Sequence, residues 1–345
     1  MENLQETKEI LESQSLYHPV DIGSVKISGN LFLAPVAGYS DAAFRAICRD
    51  CGASLCYTEM VSSEALTRGS DKTHDIMLRS TNEDIYAVQL FGGVAETMAE
   101  AAKIVLEKAH PEIIDINAGC PVPKIIKSGA GSSLTKDPEL LYKITKATVE
   151  AAGSVPVTVK IRSGWDSSNI TFREAGLAAY EAGAKAVTLH GRTKTQGYEG
   201  KANWLYLKEL VELLKDKVPV FGSGDAFSPE DAKRMLDETS CDAVMIGRAT
   251  LGNPWLIKQC IEYLENGTMP QKPTKEERLE MIKRHTELLF ERKPEKVAIS
   301  KMRVHAAYYL KGLYRSVEIK PKLFKTTSKE ELYDLIEDYI EILNY

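Results

Sequence analysis

Val218–Asp225 (VPVFGSGD) and Ala243–Ala249 (AVMIGRA) decide the fold. Each is a short apolar run that closes on glycine beside a charged residue, and a helix-like segment separates the two. Nearly continuous apolar runs suit parallel strands covered on both faces. Six more lie upstream: Leu31–Ala37 (LFLAPVA), Ser54–Met60 (SLCYTEM), Ile85–Gly92 (IYAVQLFG), Ile113–Gly119 (IIDINAG), Val155–Arg162 (VPVTVKIR) and Ala186–Arg192 (AVTLHGR). Amphipathic stretches separate most of them, clearest at Thr97–His110 and Pro138–Ala152. Strand–helix alternation repeated eight times predicts an α/β fold, the (β/α)8 TIM barrel. A doubly wound sheet would carry G-x-G-x-x-G after its first strand, whereas the first run here ends Pro35-Val36-Ala37-Gly38.

The flanks follow from this core. Val20–Ile27 (VDIGSVKI) has a Gly-Ser turn between short alternating runs, which predicts a hairpin plugging the lower mouth of the barrel. After the eighth run, Asn266–Pro273 (NGTMPQKP) reads as a linker. Thr274 is a candidate N-cap, with Glu277 as its capping-box partner. Helical patterns follow at 275–292, 296–312 and 328–342. The expected division is therefore 1–265, hairpin plus catalytic barrel, and 266–345, a C-terminal all-helical domain.

Composition sets outer limits. With 345 residues, 43% hydrophobic and 27% charged, the chain suits a barrel of about 250 residues plus an appendage. No apolar run approaches the roughly 20 residues of a membrane span. The polar, acidic N-terminus lacks a secretory h-region, so the expected location is the cytoplasm. The six cysteines form no disulfide framework. Cys48 and Cys51 make a lone C-x-x-C without companion ligands, which reads as buried helix cysteines, and no metal site is expected. Net charge is −5, yet 301–325 holds seven basic residues and one acidic, Glu318. Charge alone favours a solvated helix surface there over a nucleic-acid face.

Barrel chemistry gathers at the C-terminal ends of the strands. Every run here ends on polar, glycine or reactive residues. Run three carries Gln89; run four ends Asn117-Ala118-Gly119-Cys120-Pro121; run five carries Lys160 and Arg162; run six ends His190-Gly191-Arg192. Ser223-Gly224-Asp225 and Gly247-Arg248 follow runs seven and eight, where barrel phosphate sites are often built from backbone N–H groups. Cys120 in its loop fits a general acid, a nucleophile or a small packing residue. Lys160 offers a positive charge to an electron-rich ligand, or a Schiff-base amine. His190 reads as a hydrogen-bonding core histidine rather than a metal ligand.

The chain resembles the tRNA-dihydrouridine synthases over essentially its whole length. The motifs are Ala34-Pro35-Val36-Ala37-Gly38-Tyr39-Ser40-Asp41, Gln89-Leu90-Phe91-Gly92, Asp115-Ile116-Asn117-Ala118-Gly119-Cys120-Pro121, and the stretch from Lys124 to Leu134. Lys160-Ile161-Arg162, His190-Gly191-Arg192-Thr193, Ser223-Gly224-Asp225 and Met245-Ile246-Gly247-Arg248 continue it in order. The resemblance implies FMN as cofactor and NADPH or NADH as electron donor. Pro35, Val36 and Ala37 then line the isoalloxazine, and Gln89 and Lys160 meet its polar edge. His190, Ser223, Gly224, Asp225, Gly247 and Arg248 hold the ribityl phosphate end. It further implies hydride delivery from flavin to uracil C6, with Cys120 protonating C5 and Asn117 and Arg192 on the substrate. Lys301, Arg303 and Lys311 become part of a tRNA-binding tail. No membrane and no obligate protein partner are implied. The family usually has Met where Val36 stands, and often Asn or Gly at Ser223; both substitutions are expected to be tolerated.

Two other readings share features of the sequence. A flavin barrel acting on a free small molecule has the same phosphate site and central lysine but leaves the basic tail unexplained. An RNA-binding or RNA-remodelling protein on a barrel scaffold predicts tRNA binding that survives Cys120→Ala and loss of flavin.

Overall fold

The computed structural model describes residues 15–343. Its centre is a closed parallel barrel of eight strand positions. The hairpin strands β1 (Val20–Ile22) and β2 (Val25–Ile27) precede it. The first and second positions are β3 (Leu31–Leu33) and β4 (Leu55–Tyr57), the latter continued by the short β5 (Val61–Ser62). The third to fifth are β6 (Tyr86–Phe91), β7 (Ile113–Ala118) and β8 (Val157–Arg162). A small hairpin, β9 (Gly164–Asp166) with β10 (Asn169–Ile170), leaves the fifth strand. The last three are β11 (Ala186–His190), β12 (Val220–Ser223) and β13 (Ala243–Ile246). Parallel pairing runs in sequence around the barrel, and β13 pairs with β3 to close it.

Alternation sorts every strand. Outward residues such as Val88, Leu90, Ile114, Ile116, Val159, Ile161, Val187 and Leu189 join the core beneath the surrounding helices. Inward residues change character along the barrel axis. At the lower end Phe32, Leu55, Ala87, Ile113, Ala186, Phe221 and Ala243 form an apolar plug with Val20, Ile22 and Ile27 of the hairpin. The hairpin thus closes the N-terminal mouth as expected. One and two pleats higher, inward positions become polar: Gln89, Asp115, Thr158, then Asn117, Lys160, His190 and Ser223. Register makes neighbours of them, pairing Gln89 with Asp115, Asp115 with Thr158, Asn117 with Lys160, and His190 with Ser223.

The barrel helices follow. They are α1 (Ala42–Asp50), α2 (Ser63–Thr67), α3 (Asp71–Met77), α4 (Ala95–Ala109), α5 (Pro123–Lys127), α6 (Pro138–Ala152), α7 (Phe172–Glu181), α8 (Trp204–Leu214), α9 (Pro229–Thr239) and α10 (Trp255–Asn266). Cys48 and Cys51 sit buried and unbonded on α1 and its C-cap. Among the described residues no cluster of potential metal ligands occurs, and no helix is long and apolar enough to cross a membrane.

The tail is helical: α11 (Lys275–Phe290), α12 (Glu295–Tyr309), α13 (Ser316–Leu323) and α14 (Lys329–Ile342). Thr274 and Glu277 form the expected capping box, each side chain accepting the other's backbone N–H at 3.1 and 2.7 Å. Helix α13 was not legible beforehand, because it is short and carries Pro321 inside it. Ile282, Leu289, Ile299, Met302, Leu323, Leu332 and Ile336 make a separate tail core, which Ala43 of α1 joins from the barrel side.

Candidate active site

A cavity of about 430 Å³ opens at the C-terminal mouth of the barrel. Pro35, Val36 and Ala37 line it from the first strand, Gln89, Asn117 and Cys120 from the third and fourth, and Lys160 and His190 from the fifth and sixth. Ser223, Gly224, Asp225, Gly247 and Arg248 complete the far side. Residues scattered over more than 200 positions therefore share one chamber, because parallel strands all end at the same face.

Beneath Cys120 lies a chain of fixed polarity. Asp115 is fully buried, and ionised it can only accept hydrogen bonds. Thr158 Oγ1 donates to it at 2.5 Å and Gln89 Nε2 at 2.6 Å. Gln89 Oε1 is thereby turned toward Asn117 and accepts from its Nδ2 at 2.8 Å. Asn117 Oδ1 then faces the loop and accepts the backbone N–H groups of Gly119 (3.1 Å) and Cys120 (2.9 Å). Ser132 adds bonds from its Oγ to Gly119 O and from its N–H to Cys120 O, at 2.8 and 2.9 Å. Arg162 Nε also donates to Gly119 O at 2.8 Å. The Cys120 thiol is held on a rigid loop and stays half exposed to the cavity.

Electrostatics assign protonation states. Burial pushes the Cys120 thiol up from its usual value, against the pull of the Val122 amide, Arg162 and Lys160. The thiol is therefore protonated at neutral pH. Burial also raises Asp115 to about 6, opposed by its bonds to Thr158 and Gln89. Lys160 is lowered to about 8 by burial and by Arg162. Asp115 and the Cys120 thiol oppose that lowering, and the Lys160 Nζ makes no hydrogen bond among the described residues. His190 is driven well below its ordinary value by burial and the surrounding Lys160, Arg162, Arg192 and Arg248. It is neutral, and its Nδ1 is buried without a partner.

The loops after the seventh and eighth strands form an anion cradle. Gly224 has φ +106°, and a Cβ there would sit 3.0 Å from Ala202 Cβ and 3.2 Å from His190 Nε2. Asp225 follows at φ 64°, a left-handed conformation that its side chain secures. Both carboxylate oxygens take Arg192 guanidinium bonds at 2.7 and 2.8 Å, and one accepts Ala202 N–H at 2.7 Å. The backbone N–H groups of Gly224, Asp225, Gly247 and Arg248 donate to no described protein acceptor. Arg248 adds positive charge, stacked on the Tyr198 ring at 4.0 Å. Unspent N–H groups, an arginine and a neutral histidine suit a phosphate-bearing ligand.

Four expected site residues do not line the cavity. Arg192 is almost wholly buried, its guanidinium spent on Asp225 and on the Glu199 and Gly200 carbonyls. It shapes the cradle and is not open to substrate. Lys301 is likewise committed, to Asp41 at 2.8 Å. Arg303 Nη2 donates to Thr326 O, tying α12 to the turn that follows α13. Lys311 alone of the three tail cations is exposed. Charge counting missed this because opposite charges supplied from distant parts of the chain cannot be seen locally. Conversely, Asp115 and Thr158 were not expected as site residues, although an aspartate inside an apolar run was the available signal.

A barrel with a protonated thiol, a buried lysine and an anion cradle at its C-terminal mouth is an enzyme architecture. The dihydrouridine synthase (Dus) family model matches residues 32–344. A probable tRNA-dihydrouridine synthase of Treponema pallidum is 46% identical over 308 residues, covering 88% of this chain and 90% of that protein. The tRNA-dihydrouridine synthase B of Pasteurella multocida is 35% identical over 322 residues, covering 93% and 96%. In structure, an old yellow enzyme homologue from Zymomonas mobilis superposes with TM-score 0.55 at 14% identity, over 76% of this chain and 96% of that one. That likeness shows the fold alone. The chain belongs to the dihydrouridine synthase family.

Proposed function

We propose that this protein reduces particular uridines of tRNA to 5,6-dihydrouridine, with FMN as cofactor, NADPH or NADH as donor, and Cys120 as the acid. The observation that carries the reading is the protonated, half-exposed Cys120 thiol, locked by Asn117 and facing the same cavity as the anion cradle. The cradle fits FMN: the free N–H groups of Gly224, Asp225, Gly247 and Arg248 suit its phosphate, and the neutral His190 ring, which lines the cavity, its ribityl stem. Lys160 supplies the cation for the polar edge of the ring, with Gln89 beside it. When bound, FMN supplies the hydride that adds to uracil C6.

The chain's own residues do the rest. Cys120 gives its proton to C5, which completes saturation of the 5,6 double bond and leaves a thiolate for solvent to reprotonate. Lys160 and Arg162 lie close enough to stabilise that thiolate. Asn117 keeps the loop, and therefore Sγ, in one position. A uridine in folded RNA must leave its stack to enter a cavity of this depth. The tail offers a surface for the surrounding RNA, where Lys311, Lys322 and Lys325 are exposed beside Tyr314 (72% exposed) and Phe324 (51%). Phosphate contacts of this kind give affinity, and aromatic rings stack on unpaired bases.

The test is dihydrouridine in tRNA from a strain lacking the gene, rescued with the wild-type or the Cys120→Ala chain. Rescue by the wild type alone is expected. Unchanged dihydrouridine in all three samples refutes the reading. Rescue by both chains removes Cys120 from the chemistry.

A further inference from the structure

Helix α12 packs on the rim of the barrel's C-terminal mouth, against the neighbouring loops that follow the first and eighth strands. Two contacts fix it there, and a third ties it to the preceding tail helix. Lys301, mid-helix, ion-pairs with Asp41, which is itself the N-cap of α1, and reaches Gly38 O at 3.4 Å. Gly252, just beyond the eighth strand, has φ +71°, and a Cβ there would fall 2.2 Å from the Tyr308 carbonyl carbon. Helix backbone and loop thus touch directly. Arg278 of α11 donates to Tyr309 O at 2.6 Å. Held this way, α12 delivers Tyr308 into the cavity lining, the tail's contribution among the described residues.

Tyr308 meets Tyr39, which lines the cavity from the first strand's loop. Their rings stand edge to face, 5.8 Å apart at 84°. Tyr39 is braced from behind by His305, 5.7 Å away at 88°. Both phenols are half-buried, so they are neither core nor free surface. In an eight-stranded barrel closed in sequence order, the fourth strand lies opposite the eighth. Cys120 follows the fourth, so the tyrosine pair faces it across the mouth. An aromatic wall opposite the acid is a surface on which an unstacked base can rest.

We propose that Tyr308, aligned by Tyr39, is a positioning residue for the extruded pyrimidine, so that the helical tail completes the catalytic cavity as well as holding RNA. The inference builds on the uridine reduction proposed above. Phosphate contacts elsewhere dominate RNA capture, so loss of the wall disturbs the placement of the ring against Cys120 more than binding.

The test uses full-length, flavin-loaded protein. Reduced enzyme is mixed anaerobically with tRNA lacking dihydrouridine, and flavin reoxidation is followed. Binding of the same tRNA and flavin reduction by NADPH are measured separately. Tyr308→Leu, which removes the aromatic face, is expected to slow reoxidation by about tenfold or more, a larger loss than that of tRNA affinity or of the NADPH step, with flavin content retained. Tyr308→Phe restores most of the rate. Reoxidation of Tyr308→Leu at the wild-type rate overturns the proposal. So does a loss of flavin content and of the NADPH step in parallel with the tRNA step, which marks a packing role. If the wild type itself is not reoxidised by tRNA, the uridine reading fails and this inference with it. If the wild type reacts and the variants match it, only this inference fails.

Discussion

Replacing Asp115 with asparagine should make the protein more stable and less active at once. Burial carries the Asp115 carboxyl from its usual 3.8 to about 6. Because the folded value is raised, the folded state holds the proton more tightly than the unfolded chain does. Stability is lost as pH rises from about 4 through 6, and by pH 7 the ionised group costs on the order of 3 kcal/mol. Asparagine has nearly the same shape and never ionises, so Asp115→Asn escapes that cost. The variant also loses a directional constraint. A carboxylate can only accept, which forces Gln89 Nε2 toward Asp115 (2.6 Å) and Gln89 Oε1 toward Asn117 (2.8 Å). An amide can present either end, so Gln89 can flip, and its NH2 then opposes that of Asn117. The bond that orients Asn117 under Cys120 is lost. Urea unfolding at pH 7.5 should give a midpoint equal to or above wild type, with the gap narrowing toward pH 5. The tRNA-dependent rate should fall by about tenfold or more, since small misplacements of a reacting group are costly. An unchanged rate refutes the orientation argument. A clear loss of stability at pH 7.5 refutes the desolvation argument.

Other outcomes follow from the same geometry. Cys120→Ala should leave flavin reduction by NADPH intact and lower dihydrouridine formation on the order of 100-fold or more, measured by mass spectrometry of digested tRNA. Gly224→Ala forces a side chain into a φ of +106° against Ala202 and His190, so the purified protein should carry less flavin per chain, read by absorbance. His305, facing Asp41, Lys301 and His285, is lowered to about 4 by burial, and burial also drives His285 well below its ordinary value. The unfolded chain therefore binds protons that the folded one refuses between about pH 6.5 and 4, and stability falls on acidification through that window. His305→Phe should flatten the dependence of unfolding free energy on pH there by up to about 1.4 kcal/mol per pH unit, checked by urea titrations. An unchanged slope would mean that His305 is not neutral in the fold.

The sequence by itself determined the barrel, its lower plug, the tail helices and which strand ends carry chemistry. These are local properties. Apolar runs, glycine-bearing strand ends and a Thr274–Glu277 cap are written within a few residues of one another, and parallel closure sends every strand end to the same face. Tertiary structure decided what each polar group does once it arrives. Arg192, Lys301 and Arg303 look like free cations along the chain, but Asp225, Asp41 and the Thr326 carbonyl consume them from 33, 260 and 23 residues away. Asp115 reads as an oddity in an apolar run until register sets it between Gln89 and Thr158. Tyr308 reads as a helix residue in an RNA-binding tail until α12 sets it in the wall of the cavity at the barrel mouth. Charge and hydrogen-bond satisfaction depend on partners in space, whereas strand and helix periodicity depend on neighbours in sequence.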